Sequence, residues 1–134
     1  MHDLQLYCEL TAPREVVFDT WLNQFEQGNI TGAIAFITPK VEGHFRLWGG
    51  AVTGQLLSIE RPHTLVMTWR TIDFEDWMSD TRLTITFQER KKGSRFIVSH
   101  ELIPLPMIGQ FRFAWSDVYF PKLRTYFAAR FPPV

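Results

Sequence analysis

In Leu4-Gln5-Leu6-Tyr7-Cys8-Glu9-Leu10, apolar and polar residues alternate. A period of two marks a strand with one buried face. The period then lengthens. Val17, Phe18, Trp21, Leu22 and Phe25 fall on one helical face, with Pro13 and Glu15 suited to the first turn. Gln27-Gly28-Asn29 is expected to end this short helical region, because glycine and asparagine accept the left-handed conformation that closes a helix. From about Ala33 to Leu102 six apolar or alternating segments follow: AIAFITP, HFRLW, TGQLLSIE, TLVMTWRT, TRLTITFQE and RFIVSHEL. In them Leu57 pairs with Ile59, Leu65 with Met67 and Trp69, Leu83 with Ile85 and Phe87, and Phe96 with Val98, His100 and Leu102. The links are short and rich in turn residues, which predicts an antiparallel meander. Phe111, Ala114, Trp115, Val118, Tyr119, Leu123, Tyr126 and Phe127 then recur at helical spacing. Pro121 interrupts that run, so a kink or a junction of two helical pieces is expected between Asp117 and Pro121.

An antiparallel sheet with one apolar face needs a cover, and the C-terminal helix is the longest element available. The expected fold class is α+β: a curved antiparallel sheet of six or seven strands wrapped around a long C-terminal helix, with a short N-terminal helical region. At 134 residues the chain suits one domain.

The stretch EGHFRLWGGAVTG invites comparison with a phosphate-binding loop. Such a loop runs from a strand directly into a helix and carries a lysine after its last glycine. Here more strand follows Gly49-Gly50, and Gln55 follows Gly54. The pair is expected to form a hairpin turn, and Gly54 to mark a bulge or a close backbone approach.

Composition narrows the chemistry. Twelve Phe, five Trp and three Tyr supply large apolar surfaces that fill cores or line pockets. Fourteen basic residues balance fourteen acidic ones, so there is no excess charge for nucleic acid and no polybasic membrane patch. No span long enough for a membrane crossing is present. The N-terminal residues do not read as a secretory leader, and the single cysteine, Cys8, excludes an internal disulfide. A reduced, cytoplasmic setting is expected. The four histidines lack metal-ligand spacing, so no metal and no cofactor are expected.

In order along the chain stand TAPREVVFDTWLN, EGHFRLWGG, GQLLSIERPHTLVMTWR, the TRLTITFQE and GSRFIVSHEL pair, and AWSDVYFPKLRTYFAAR. From about Leu4 to Ala129 their order resembles the helix-grip, START-like (SRPBCC) superfamily. Within it, the chain is most similar to the branch related to the C-terminal domain of the Hsp90 ATPase activator. Two positions depart from the family pattern: Gly43-His44 stands where Gly-Gly is frequent, and Ser58 where a glutamate is frequent. The resemblance implies one of several activities, since the superfamily includes lipid and hormone carriers, polyketide aromatases and cyclases, and co-chaperone modules.

Three readings are carried forward. In the first, a cavity between sheet and C-terminal helix takes an apolar or aromatic small molecule. Its walls are expected from Trp48, Leu57, Met67, Trp69 and Ile85 on the sheet, with Val98 beside them. Phe111, Trp115 and Tyr119 face them from the helix, and His100 serves as a polar anchor. In the second, the domain docks on a chaperone or other protein through exposed Phe74 and Trp77, with Met78 beside them in the Thr71–Asp80 link. Arg46 and Arg70 are expected on the outer face. In the third, an enzyme of the aromatase or cyclase kind, only His100 offers an acid or base, so this reading ranks last. A monomer or a homodimer would serve any of the three.

Overall fold

The computed structural model describes residues 1–133. Seven strands form one antiparallel sheet in the order β1-β7-β6-β5-β4-β3-β2. They are β1 (His2–Leu10), β2 (Phe36–Ile37), β3 (His44–Leu47), β4 (Val52–Glu60), β5 (Thr64–Thr71), β6 (Thr81–Arg90) and β7 (Gly93–Ile103). Two short helices, α1 (Arg14–Trp21) and α2 (Gln24–Thr31), follow β1. The chain closes with a helical run: a 3-10 turn at Leu105–Met107, α3 (Ile108–Phe113), a π-helical segment (Ala114–Tyr119) and α4 (Phe120–Arg130). This is the α+β helix-grip fold that the alternation predicts.

The alternating positions pack as their period requires. Leu4, Cys8 and Leu10 of β1, Leu65, Met67 and Trp69 of β5, and Leu83, Ile85 and Phe87 of β6 are all buried. Facing them, Trp115, Tyr119, Phe120, Leu123 and Phe127 of the helical run are buried too. On the other side of the core, α1 sets Phe18 edge-on to Phe87, with ring centroids 5.0 Å apart.

The structure departs from the pattern at several places, most with an identifiable backbone cause. The N-terminal helical region is two helices rather than one. Asn23 breaks it and caps α2, its side chain accepting from the N–H groups of Phe25 and Glu26 at 3.0 and 3.1 Å. The break resets the helical phase, leaving Phe25 exposed instead of in the core. Gly28-Asn29 does not end the helix; Gly32, at φ 78°, does. In the AIAFITP segment only Phe36–Ile37 pairs as strand, and Phe36 is exposed.

On β4 the pairing steps from Leu56↔Met67 to Ser58↔Val66. Two residues on β4 advance against one on β5, so Leu57 is the extra residue of a bulge. Leu56 takes the core position, and Leu57 is 41% exposed. A second irregularity sits where β1 meets β7: Leu102 adopts φ 64° and turns outward, while Ile103 is buried.

Gly49 and Gly50 form the expected β3–β4 turn, at φ 67° and 96°. Trp48 before them also has positive φ, 57°, which brings its ring to the inner side after the inward Leu47. Gly54 is a close approach: a Cβ there would lie 2.1 Å from the Thr68 carbonyl oxygen and 2.4 Å from the Phe45 ring. Between Asp117 and Pro121 the helix widens instead of breaking. The Phe120 N–H donates to the Trp115 carbonyl, five residues back, ahead of a proline that has no N–H to donate.

Gly54→Ala is expected to cost about 2 kcal/mol through this overpacking, read as a lower urea midpoint with an unchanged slope. An alanine variant as stable as the parent would contradict the close approach.

Candidate functional site

The twisted end of the sheet and the π-helical segment leave an apolar cleft of about 320 Å³ between them. Trp48, Ala51 and Val52 supply one wall from the β3–β4 turn, and Trp69 and Thr71 the floor from β5. Phe111, Phe113, Ala114, Trp115, Val118 and Tyr119 supply the helical wall. The rings are mutually braced. Trp115 and Tyr119 stack at 5.1 Å with 5° between planes, and Trp48 meets Tyr119 edge-on at 5.1 Å. Trp69 lies 5.3 Å from Trp115. A larger groove, about 680 Å³, crosses β3 to β5 on their other face, among His44, Arg46, Thr53, Gln55 and Asp80. Its mixed polar lining suits solvent. The smaller cleft has the predominantly apolar, aromatic wall of a small-molecule site.

Of the ten residues expected around a cavity, Trp48, Trp69, Phe111, Trp115 and Tyr119 line this cleft. Met67, Ile85 and Val98 lie fully buried in the sheet interior and do not line it. Leu57 is turned outward by its bulge. Ala51, Val52, Thr71, Phe113, Ala114 and Val118 complete the lining outside the expected ten. Thr71 shares the phase of Met67 and Trp69, and Ala114 and Val118 lie on the helical stripe of Phe111, Trp115 and Tyr119, so periodicity carried a signal for these three.

His100 does not serve as an open anchor. Trp115 Nε1–H donates to its Nδ1 at 3.2 Å, so the proton of the neutral ring sits on Nε2. Nε2 then faces Thr81 Oγ1 at 2.6 Å, and the Thr81 hydroxyl donates to the Trp69 carbonyl at 2.7 Å. Both ring nitrogens are thereby engaged, and His100 is fully buried outside the cleft lining. Burial pushes the imidazole down to about 3, because desolvation disfavours the cation. Tyr119 is similarly committed. Its hydroxyl donates to Gln27 Oε1 at 2.6 Å, and Gln27 Nε2 donates to the Trp21 carbonyl at 3.0 Å. Burial raises the Tyr119 phenol far above its usual range. Cys8 is a buried thiol pushed up to about 12, chiefly by desolvation, which leaves it without nucleophilic character.

The Thr71–Asp80 link divides its aromatics. Phe74 is only 8% exposed and packs edge-on against Phe111 at 6.1 Å, so it is not the docking residue expected. Trp77 is 75% exposed, and Met78 is half-buried against the core. Arg70 is half-buried rather than free on the outer face. Its guanidinium donates to the carbonyls of Met78 and Glu75 at 2.6 and 2.8 Å, pairs with Asp80, and lies over the Phe74 ring. It pins the link closed. Arg46 is exposed, as alternation predicts. Among the described residues no group of three His, Cys, Asp or Glu side chains could hold a metal ion. No helix among them is long and apolar enough to cross a membrane.

Sheet, helical run and cleft together define a START-like helix-grip domain. Residues 11–128 match the family model described as Activator of Hsp90 ATPase homolog 1-like protein, and the chain belongs to that family. Among solved structures it is similar to an Hsp90 activator from Plasmodium falciparum, PFC0360w. That match has a TM-score of 0.85 at 20% identity, over 93% of this chain and 95% of the other. CalU16 from Micromonospora echinospora matches at a TM-score of 0.77 and 16% identity, over 96% of this chain and 77% of that one. Protein MLL2253 from Mesorhizobium loti matches at 0.78 and 17%, over 93% and 96%. No curated protein matches the chain.

The His100 relay sets a pH dependence. In the unfolded chain the ring protonates near its ordinary 6.5, in the folded chain only near 3. Between those values the unfolded state binds the extra proton, so stability is full above about 6.5 and declines as pH falls towards 3. The whole window is worth on the order of 3–5 kcal/mol. Urea titrations from pH 7.5 to 4 are expected to fall more steeply for the parent than for His100→Gln. Parallel curves would mean that the buried ring carries charge.

Proposed function

We propose that the protein binds a small apolar or aromatic molecule in the cleft between the C-terminal helical run and the sheet. The observation that carries this reading is the cleft's composition: aromatic rings braced against one another around space they do not fill. About 320 Å³ lies at the lower end of ligand pockets. Catalysis is not part of the proposal, because the candidate acid–base, His100, is committed elsewhere.

Native mass spectrometry of gently purified protein is expected to show a discrete small-molecule adduct that disappears on denaturation. Ala114→Trp places a large ring into the cleft from an exposed helical position. It is expected to abolish the adduct while leaving the melting temperature within a few degrees. An adduct undiminished in this variant would remove the cleft as its site.

Family membership and exposed Trp77 favour a second reading, a module that docks on a chaperone. An exposed tryptophan on a pinned link is the kind of anchor that protein interfaces use. Trp77→Ala is expected to lower affinity for Hsp90 at least tenfold in a direct binding assay with purified components. Equal affinities, or no binding by the parent, would dismiss this reading.

A further inference from the structure

We infer that the cleft selects a neutral, two-ring aromatic molecule bearing one hydrogen-bonding group, and that the Thr71 hydroxyl is the group that selects it. The inference rests on the cleft reading and specifies its ligand.

Size comes first. A dry apolar cavity of about 150 Å³ accommodates one benzene ring. A cleft of about 320 Å³ is roughly twice that, which suits two fused rings. The walls are flat and aromatic, so a planar guest gains stacked or edge-on contacts with Trp48, Trp69 and Trp115.

Charge comes second. None of the lining residues is Asp, Glu, Lys, Arg or His. A carboxylate or ammonium brought inside would lose its hydration without finding a counter-ion, a cost that favours neutral guests.

The polar requirement comes third. Trp115 Nε1–H is spent on His100 and the Tyr119 hydroxyl on Gln27. Thr71 Oγ1 is shielded from solvent and has no hydrogen-bond partner among the described residues. A shielded hydroxyl without a partner is costly, and proteins rarely keep one idle. Thr71 pairs with Val52 across β4 and β5 and shares the inward phase of Met67 and Trp69. A threonine hydroxyl both donates and accepts. Rotation about χ1 carries Oγ1 to another staggered position, which can turn the hydroxyl to a guest with the backbone unmoved. A phenol or ketone on the guest supplies the missing partner.

Calorimetric titration with naphthalene, 2-naphthol and 2-naphthoate tests each element on the parent, Thr71→Val and Thr71→Ser. The parent is expected to bind 2-naphthol about tenfold more tightly than Thr71→Val does, the effect of one neutral hydrogen bond at a shielded site. Thr71→Ser should keep most of that affinity. Naphthalene should not distinguish parent from Thr71→Val, and 2-naphthoate should bind the parent at least tenfold more weakly than 2-naphthol. Equal 2-naphthol affinities for parent and Thr71→Val would overturn the role of Thr71 while leaving the cleft as the site. Naphthoate as tight as naphthol would overturn the neutral class. If no probe binds, yet the native adduct persists and is lost in Ala114→Trp, the ligand class is wrong and the cleft stands. If the adduct is missing as well, both fall.

Discussion

One buried polar seam ties the helical run to the sheet. From Trp115 on the helix the hydrogen bonds pass to His100 on β7, to Thr81 on β6 and to the Trp69 carbonyl on β5. Each participant would be expensive to bury alone, and each is satisfied by the next. An apolar interface tolerates sliding, because one hydrocarbon contact resembles another. A directional chain through three strands does not. It sets the depth and rotation of Trp115, and Trp115 in turn carries the stack that forms the cleft wall. Gln27, accepting from Tyr119 and donating to the Trp21 carbonyl, holds the next turn of the helix in the same manner.

The cleft persists because its walls are rigid. Flexible side chains would collapse into a space of this size, whereas stacked indole and phenol rings move only as a group. Trp21 of α1 stacks on Tyr119 at 5.3 Å and is itself buried in the core. The cleft is therefore continuous with the packing that stabilises the fold. Family membership and the likeness to PFC0360w fix the architecture.

Alternation made the strands legible because β5, β6 and most of β7 keep a strict period of two from end to end. It failed where a single backbone residue breaks phase. Leu57 sits in a bulge, Leu102 and Trp48 take positive φ, and Asn23 resets the helix before Phe25. None of these changes composition enough to show in a pattern count. The site was half legible for a different reason. Phase tells which face of a strand a residue occupies, but not how far along that face the covering helix departs from it. Met67, Ile85 and Val98 share the face of Trp69, yet they are fully buried and the cleft does not reach them. His100 was visible as an inward polar residue, but its partners Thr81 and Trp115 come from distant segments that only folding brings together.

The widened turn before Pro121 has a consequence for how the C-terminal sequence is written. Met107, Phe111, Trp115, Tyr119, Leu123 and Phe127 are all buried and recur every fourth residue. A regular α-helix advances about 100° per residue, so twenty residues of such a repeat would rotate the last side chain about 200° away from the first. The five-residue hydrogen-bond step at Trp115–Phe120 unwinds part of that drift. It acts as a phase corrector, letting a helix with a four-residue apolar repeat keep one side towards a sheet without supercoiling. Cleft and core are thus read from the same stripe of residues, and the π-helical segment is the point at which that stripe passes from lining one to filling the other.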